Sequence, residues 1–421
     1  MLQTIGTTGL AATAMVGLGG AAQASAAAGT VGTFWDQGGQ VFNVMAYGAT
    51  GNGTTDDTLA ITSAISAAQG AGGGVVYLPQ GDYLISSTLT ITKGGTQIVG
   101  SGQNATRIKP SSSFLTGDVI AFSSMTGGSV RMLTIVGAAA RTSGAAIHMA
   151  TANEIYVQDV DLTNMYVGCQ IDGTCILNYI DRGYWTDFSA GGTAIFVNTT
   201  GNDQYISNIV CSGGTGHAAN LRISATGALW CHQCDFIGAE NGLVIDTPEG
   251  SAITWCFFTD CAWDTCGDRC MLINPASGAT VRGLNFENCW SSSAQNYDGC
   301  YIGGPVDGVQ FVAHRFFNNG ANGLIVYGPA SNVFVDASGS SGNGLAHSGS
   351  AGMAFTGSCN GFAVRNCRVG PYAGFGTAGQ TNGILVISGC DNYIITGNNT
   401  QGNATGISNG GGPTSVVTNN L

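Results

Sequence analysis

The stretch FNVMAYGATGNGTTDDTLAITSAISAAQGAGGGVVYLPQGDYLISSTLTI, residues 42–91, decides the fold. Thr55 and Asp56 offer N-cap oxygens and Asp57 favours a first helical turn electrostatically. Leu59, Ile61, Ile65 and Ala68 then give one apolar face before Gly70 stops the helix, which predicts a helix over about 55–69. The segments VVYL and YLISSTLTI, separated by the turn PQGDY, read as strands. On this reading Asp56 and Asp57 begin a helix and are not a catalytic pair.

Working outward, short apolar strands preceded by Gly, Ala or Asn recur beyond Gly100: GAAIHM from Gly144, VGCQI from Val167, GTAIFV from Gly192, AANLRI from Ala218 and NGLVI from Asn241. RCMLI from Arg269, GCYI from Gly299, NGLIV from Asn322 and NGILV from Asn382 continue the series. Most spacings are 21–30 residues, the period of a solenoid coil with three short strands. A second recurring element, LWCHQCDF, ITWCFF, NFENCWS, QFVAHRF, AVRNCRV and IITGNNT, sets the register. Its slot, filled by Cys234, Cys256, Cys289, His314, Cys367 and Asn398, predicts a side-chain ladder stacked about 4.8 Å apart. The fold predicted is all-β, a right-handed parallel β-helix with an N-terminal capping α-helix and coils over about 75–421.

The opening stretch resembles that of the pectate-lyase-like parallel β-helix proteins, which include the family 28 polygalacturonase-like glycoside hydrolases and phage tailspike depolymerases. The resemblance covers Phe42 to the C-terminus at the level of architecture. It implies that the helix caps one end of the solenoid, that a polysaccharide is the partner, and, from the tailspikes, a homo-oligomer, with a trimer expected. Motifs that identify a polygalacturonase are absent: there is no Asn-Thr-Asp triplet, no adjacent Asp pair in the later coils and no Gly-His-Gly. Arg107-Ile108-Lys109 imitates another such motif but precedes the repeats.

Composition removes other classes. With 68 Gly and only 9% charged residues the chain is no helical bundle, and at 44% hydrophobic it is not disordered. A net charge of −12, with Lys93 and Lys109 the only lysines, argues against nucleic acid and against an anionic membrane surface. The apolar run Thr8–Ala22 is too short to span a membrane. Residues 1–28 read as a leader, with Ala24 and Ala26 matching a small-x-small cleavage site, and resemble the latter part of a twin-arginine export signal without its arginines. Extracellular or cell-surface placement is expected, with a virion tail as the alternative.

Carboxylates and aromatics coincide in one region. Eight of the 24 acidic residues lie between Asp235 and Glu287, with Trp230, Trp255, Trp263 and Trp290 in or beside it. Glycoside chemistry uses paired carboxylates and aromatic platforms, so Asp264, Asp268 and Glu287 are the expected catalytic groups. Trp263, Trp290, Arg315, Asp235 and Asp260 are expected to bind substrate. The competing structural role is turn capping by the carboxylates and flank covering by the Trp rings. The five His are scattered, and His148, His232 and His314 read as structural. The 14 Cys suit buried ladder positions better than a disulfide scaffold. Cys231-x-x-Cys234 with Cys261, Cys266 and Cys270 has metal-like spacing but no completing knuckle, so no metal site is assigned. No cofactor is expected, apart from Ca2+ if the reaction is elimination. Two functions follow: a hydrolase or lyase acting on a neutral or weakly acidic glycan, or a non-catalytic glycan-binding rod.

Overall fold

A computed structural model of the chain describes residues 32–34, 39–137, 141–213, 216–371, 374 and 379–421. The proposed leader, 1–28, lies outside the described residues. The rest is an all-β parallel solenoid in which each coil contributes strands to three faces. Face I holds strands such as Ala145–Ala150, Val167–Gly173 and Thr193–Thr199. Face II holds Ala252–Thr259, Thr280–Glu287 and Val306–Val312, and face III the three-residue strands Ala262–Asp264, Trp290–Ser292 and Arg315–Phe317. Longer strands, Asn153–Thr163 and Gln204–Ser212, run from face II into face III as single strands, with the pairing skipping the corner residues Asp159 and Asn208.

Parallel pairing stacks like positions, and apolar positions therefore form columns. On face II, Ile98, Val130, Val157, Ile180, Ile206, Cys231, Phe258, Phe286, Phe311, Val335, Val364 and Ile395 occupy one inward column in unbroken register. All are at most 2% exposed. The pair Phe258 and Phe286, 4.7 Å between centroids, and the pair Phe286 and Phe311, 5.0 Å, stack along the axis.

The corner between faces II and III has a left-handed residue in coil after coil: Asp159, Asn208, Asp260, Asn288, Asn366 and Asn419, all with φ between 51 and 55°. Asn and Asp tolerate this conformation best among residues with a Cβ. The residue after it fills the predicted ladder slot. Its side chain accepts a hydrogen bond from the backbone N–H of the same slot one coil earlier: Cys289 Sγ from Cys261 (3.4 Å), Ser338 Oγ from His314 (3.1 Å), Asn398 Oδ1 from Cys367 (2.9 Å) and Asn420 Oδ1 from Asn398 (3.0 Å). One slot assignment needs correction. Cys261, not Cys256, is the rung between Cys234 and Cys289, because Cys256 lies before the corner and points inward from face II in register with Leu229 and Leu284.

The helix runs Thr58–Gly70, and Thr55 and Asp56 end the preceding strand Asn52–Asp56. Asp57 does not cap it with its side chain; its carboxylate turns back to accept from the Thr50 (2.7 Å) and Gly51 (3.0 Å) amides. Asp56 Oδ1 accepts from the Thr58 N–H at 3.0 Å. The buried side chains are Ala60, Ile61, Ala64, Ile65 and Ala68, which join the core, whereas Leu59 is 78% exposed. At about 100° per residue Leu59 stands about 200° round the helix from Ile61, so it faces away from the buried stripe and falls outside the expected apolar face.

Candidate functional site

The outward positions of face I align into a polar row that the inward core strands hold in register. Ala121, His148, Gln170, Phe196 and Arg222 occupy one column, and Ser123, Ala150, Asp172 and Asn198 the column two residues on. Period-two alternation produces this: Ile147, Cys169, Ile195 and Leu221 are fully buried, which turns the next residue outward.

His148 is the centre of the row. Its Nδ1 lies 2.8 Å from Asp118 Oδ2, in the turn one coil before, and its Nε2 3.0 Å from Asp172 Oδ2, one coil after. The second contact is an ion pair off the N–H axis and does not complete a hydrogen bond to Nε2. Gln170 Nε2 donates to Asp172 at 2.7 Å, and Asp118 also accepts from the Ala145 amide at 2.8 Å. Burial by itself lowers the His148 pKa, but the Asp118 hydrogen bond and the charges of both carboxylates outweigh it and raise it above its ordinary value. Burial pushes Asp118 up, and the His148 hydrogen bond, the Ala145 N–H and the nearby His148 and Arg141 charges bring it below the usual carboxylate range. An imidazolium flanked by two carboxylates is thus the state the site favours.

Further along, Arg222 spans Phe196, 5.2 Å below its guanidinium, and Asp246, which also accepts from Ser224 Oγ at 2.7 Å. Arg269 lies over Tyr297 (4.5 Å) and Tyr301 (5.1 Å) and 3.4 Å from Asp298. Face I therefore offers proton-transfer groups beside cations and aromatic edges, a set able to hold a glycan and move a proton.

The residues expected from sequence are spread over other faces. Asp235, Asp264, Trp290 and Arg315 come together on face III: Asp235, Ala262, Trp290 and Arg315 share one column, and Asp264 stands in the next with Ser292 and Phe317. Asp264 accepts from Ser292 Oγ at 2.8 Å. Burial, and then the Asp264 charge, raises the Asp235 pKa. Asp268 is in the turn that follows, accepting from Asn296 at 3.2 Å, while Glu287 ends a face II strand and Asp260 sits at the left-handed corner, 3.9 Å from His232.

Trp263 is a correction. It is fully buried, with its ring against Phe236, Phe258 and Phe286, and no sugar reaches it. Its neighbours Ala262 and Asp264 point outward, so alternation sends the ring into the core. His148 lies in a strand, as expected from sequence, on the outer side of face I. The signal was present: aligning AAIHMA, VGCQIDG and TAIFVNT on their inward Ile and Cys puts His148, Gln170 and Asp172 on one surface.

All 14 Cys are buried free thiols. Among the described residues, Cys231, Cys234 and Cys261 bring their sulfurs within 4.8 Å of one another. Cys234 and Cys261 donate to main-chain carbonyls of His232 and Thr259 at 3.4 Å, the behaviour of protonated thiols in a core. No helix among the described residues is long and apolar enough to cross a membrane.

Comparison with known proteins agrees with this architecture. Residues 41–244 match the family described as rhamnogalacturonase A/epimerase, pectate lyase-like. Mannuronan C5-epimerase AlgE3 of Azotobacter vinelandii is 51% identical over 75 residues, which is 16% of this chain and 4% of that protein. The solved A-module of Azotobacter vinelandii mannuronan C-5 epimerase AlgE4 superposes with a TM-score of 0.65 at 19% identity, covering 89% of this chain and 99% of the module. Tailspike protein 3 of bacteriophage CBA120 gives 0.66 at 13% identity, over 87% of this chain and 59% of the tailspike. Both structural likenesses show the fold. The coil register and the matched span, residues 41–244, make this chain similar in sequence there to the pectate-lyase-like family, and the solved neighbours share its parallel β-solenoid fold.

Proposed function

We propose that the protein is a polysaccharide-acting enzyme whose chemistry is proton transfer at the His148 site of face I, on a uronate-containing glycan. The observation that carries this reading is the imidazole of His148 held between Asp118 and Asp172 in an outward row. The curated relative named above is a C5-epimerase of mannuronan. Epimerisation and elimination of a uronate share a first step, removal of the proton on C5, next to the carboxylate. In this reading Asp172, with 30% of its side chain exposed, accepts that proton. The His148 imidazolium and Arg222 stabilise the negative charge that develops on the sugar carboxylate. Right-handed winding, a capping role for helix Thr58–Gly70, secretion, trimeric assembly and calcium dependence of an elimination belong to the same reading.

The test is exchange of the C5 proton in deuterated buffer, followed by NMR on mannuronan, polygalacturonate and rhamnogalacturonan, with and without calcium, alongside absorbance of unsaturated ends. Wild type should exchange or eliminate on at least one polymer, and Asp172→Asn and His148→Gln should each abolish it. Binding to every polymer with no exchange and no product would move the assignment to the non-catalytic rod.

A second reading rests on face III. Asp235, raised, beside Asp264, hydrogen-bonded by Ser292, is a carboxyl pair whose environments differ, as a glycoside hydrolase's acid and base require. Trp290, 41% exposed, and Arg315 flank it, and Asp268 and Glu287 are tested with it. Reducing-end release lost in Asp235→Asn and Asp264→Asn but kept in His148→Gln would select this face.

A further inference from the structure

Face II carries an outward column of rings: Tyr156, Tyr179, Tyr205, Trp230 and Phe257 stack in succession with centroids 4.6, 4.8, 5.0 and 5.6 Å apart. Each inner ring covers its neighbours' faces, so these rings offer solvent only their edges. Past Phe257 the column changes to Asn285, Gln310 and Phe334, and the stack ends in a hollow of about 300 Å³.

Trp255 forms one wall of that hollow. At the equivalent position of other coils the residue is left-handed: Leu177 (φ 59°), Asp203 (61°), Gly283 (68°) and Gly308 (78°). Ala228 and Trp255 are not, and Trp255 instead leans over the next coil. Its ring lies against Gly283, where a Cβ would come within 2.5 Å of it, and the residue is 54% exposed. The ring thus packs on the glycine on one side and keeps indole surface exposed at the hollow. Phe334, 37% exposed, forms the opposite wall, and Gly283 and Gly308 are part of the lining between them.

The polar lining has capacity to spare. Arg282 is the register partner of Asp307, yet among the described residues it makes no ion pair or hydrogen bond, unlike Arg107, Arg182 and Arg222, each paired with an Asp of a neighbouring coil. Asp307 uses Oδ1 for Ser331 (2.8 Å) and Asn332 (2.6 Å) and leaves Oδ2 open. Asn285 spends its amide on the Gly283 carbonyl at 3.0 Å and keeps its oxygen. An open indole face, planar amides, a carboxylate oxygen and an uncompensated guanidinium are the groups that recognise a pyranose ring bearing hydroxyls and a carboxylate.

We propose that this hollow is a second glycan site, a non-catalytic subsite for an acidic sugar unit, on a different face from His148. It stands whether or not the face I chemistry is assigned correctly, and it would let a long chain be held on face II. The experiment is titration calorimetry of the full chain with hexamannuronate, hexagalacturonate and their carboxyl-reduced counterparts. Trp255→Ala, Arg282→Ala and wild type are compared, each with its melting temperature and its mass by light scattering. Both side chains are exposed, so both variants should melt as wild type does. A wild type that binds an acidic hexamer, weakened about tenfold or more in Trp255→Ala and in Arg282→Ala, with carboxyl reduction weakening wild type more than Arg282→Ala, supports the site. Equal binding by all three proteins overturns it, as does equal binding of acidic and reduced sugars. A wild-type oligomer that Trp255→Ala dissolves, with no change in glycan binding, also overturns it and assigns the patch to a second copy of the chain.

Discussion

Replacing Trp263 tests the core and the site together, because sequence alone placed this ring on the binding surface. The residue is fully buried, stacked on Phe236 at 6.2 Å and edge-on to Phe258 at 5.7 Å and Phe286 at 5.9 Å. Truncating such a ring to Ala costs about 3–5 kcal/mol, the upper end being apt here because the two edge contacts are lost as well. Phe at the same position behaves differently. The indole Nε1 is buried without a hydrogen-bond partner, and removing an unsatisfied N–H returns about 1–3 kcal/mol, which offsets most of the lost ring volume. Trp263→Ala should therefore unfold at a clearly lower urea concentration, while Trp263→Phe should stay within about 1 kcal/mol of wild type. Because a solenoid couples mainly neighbouring coils, hydrogen exchange should show the Ala variant loosened around residues 236–311 before the terminal coils. An Ala variant that unfolds at the wild-type midpoint and yet loses glycan binding would refute the buried placement.

The face I site predicts a pH signature. A raised His148 pKa contributes stability below about 6.5 that is lost as pH rises through the raised value, and a lowered Asp118 pKa contributes stability above about 3.8 that is lost as pH falls through the lowered value. Wild type should thus exceed His148→Gln in melting temperature most between those limits, and a constant difference from pH 3 to pH 9 would remove the ion triad. In the corner ladder, Asn398→Leu strips partners from the Cys367 N–H and the Val364 carbonyl and should destabilise by about 1–3 kcal/mol for each group left buried and unpaired, read by urea titration. Cys289→Ser should also lower stability, by about 1–3 kcal/mol, since Cys289 sits in the same ladder; an unchanged midpoint would show that the hydroxyl finds its partners.

Much of the solenoid was legible because a parallel coil repeats its constraints. All nine recurring strand motifs, from GAAIHM to NGLIV and NGILV, fall on face I. The gap between the last two holds one more coil, whose strand Ser350–Thr356 lacks the Asn-Gly start that marked its neighbours. The ladder was legible for the same reason, except where ITWCFF offered a cysteine two residues ahead of the inward Phe258 and so displaced Cys261. A second buried ladder went unseen: Asn319 to Asn343 at 3.0 Å, Asn343 to Gln380 at 2.9 Å and Gln380 to Asn403 at 2.9 Å. Its members are spaced unevenly and change residue type, and only the stacked coils bring them into contact.

Sequence by itself determined the coil period, the buried columns and the class of protein, because those depend on local alternation and on repetition, which each strand carries within itself. Tertiary structure decided which polar residues meet. Asp118, His148 and Asp172 are 30 and 24 residues apart and become neighbours only because stacking sets one coil directly on the next. The same stacking buried Trp263 and exposed Trp255, two rings eight residues apart whose fates depend on the face each strand serves and on the glycines above it. Composition identifies carboxylates and aromatics, but the phase of each short strand relative to its corner fixes which side of the wall they occupy, and that phase is set by pairing with the coils on either side.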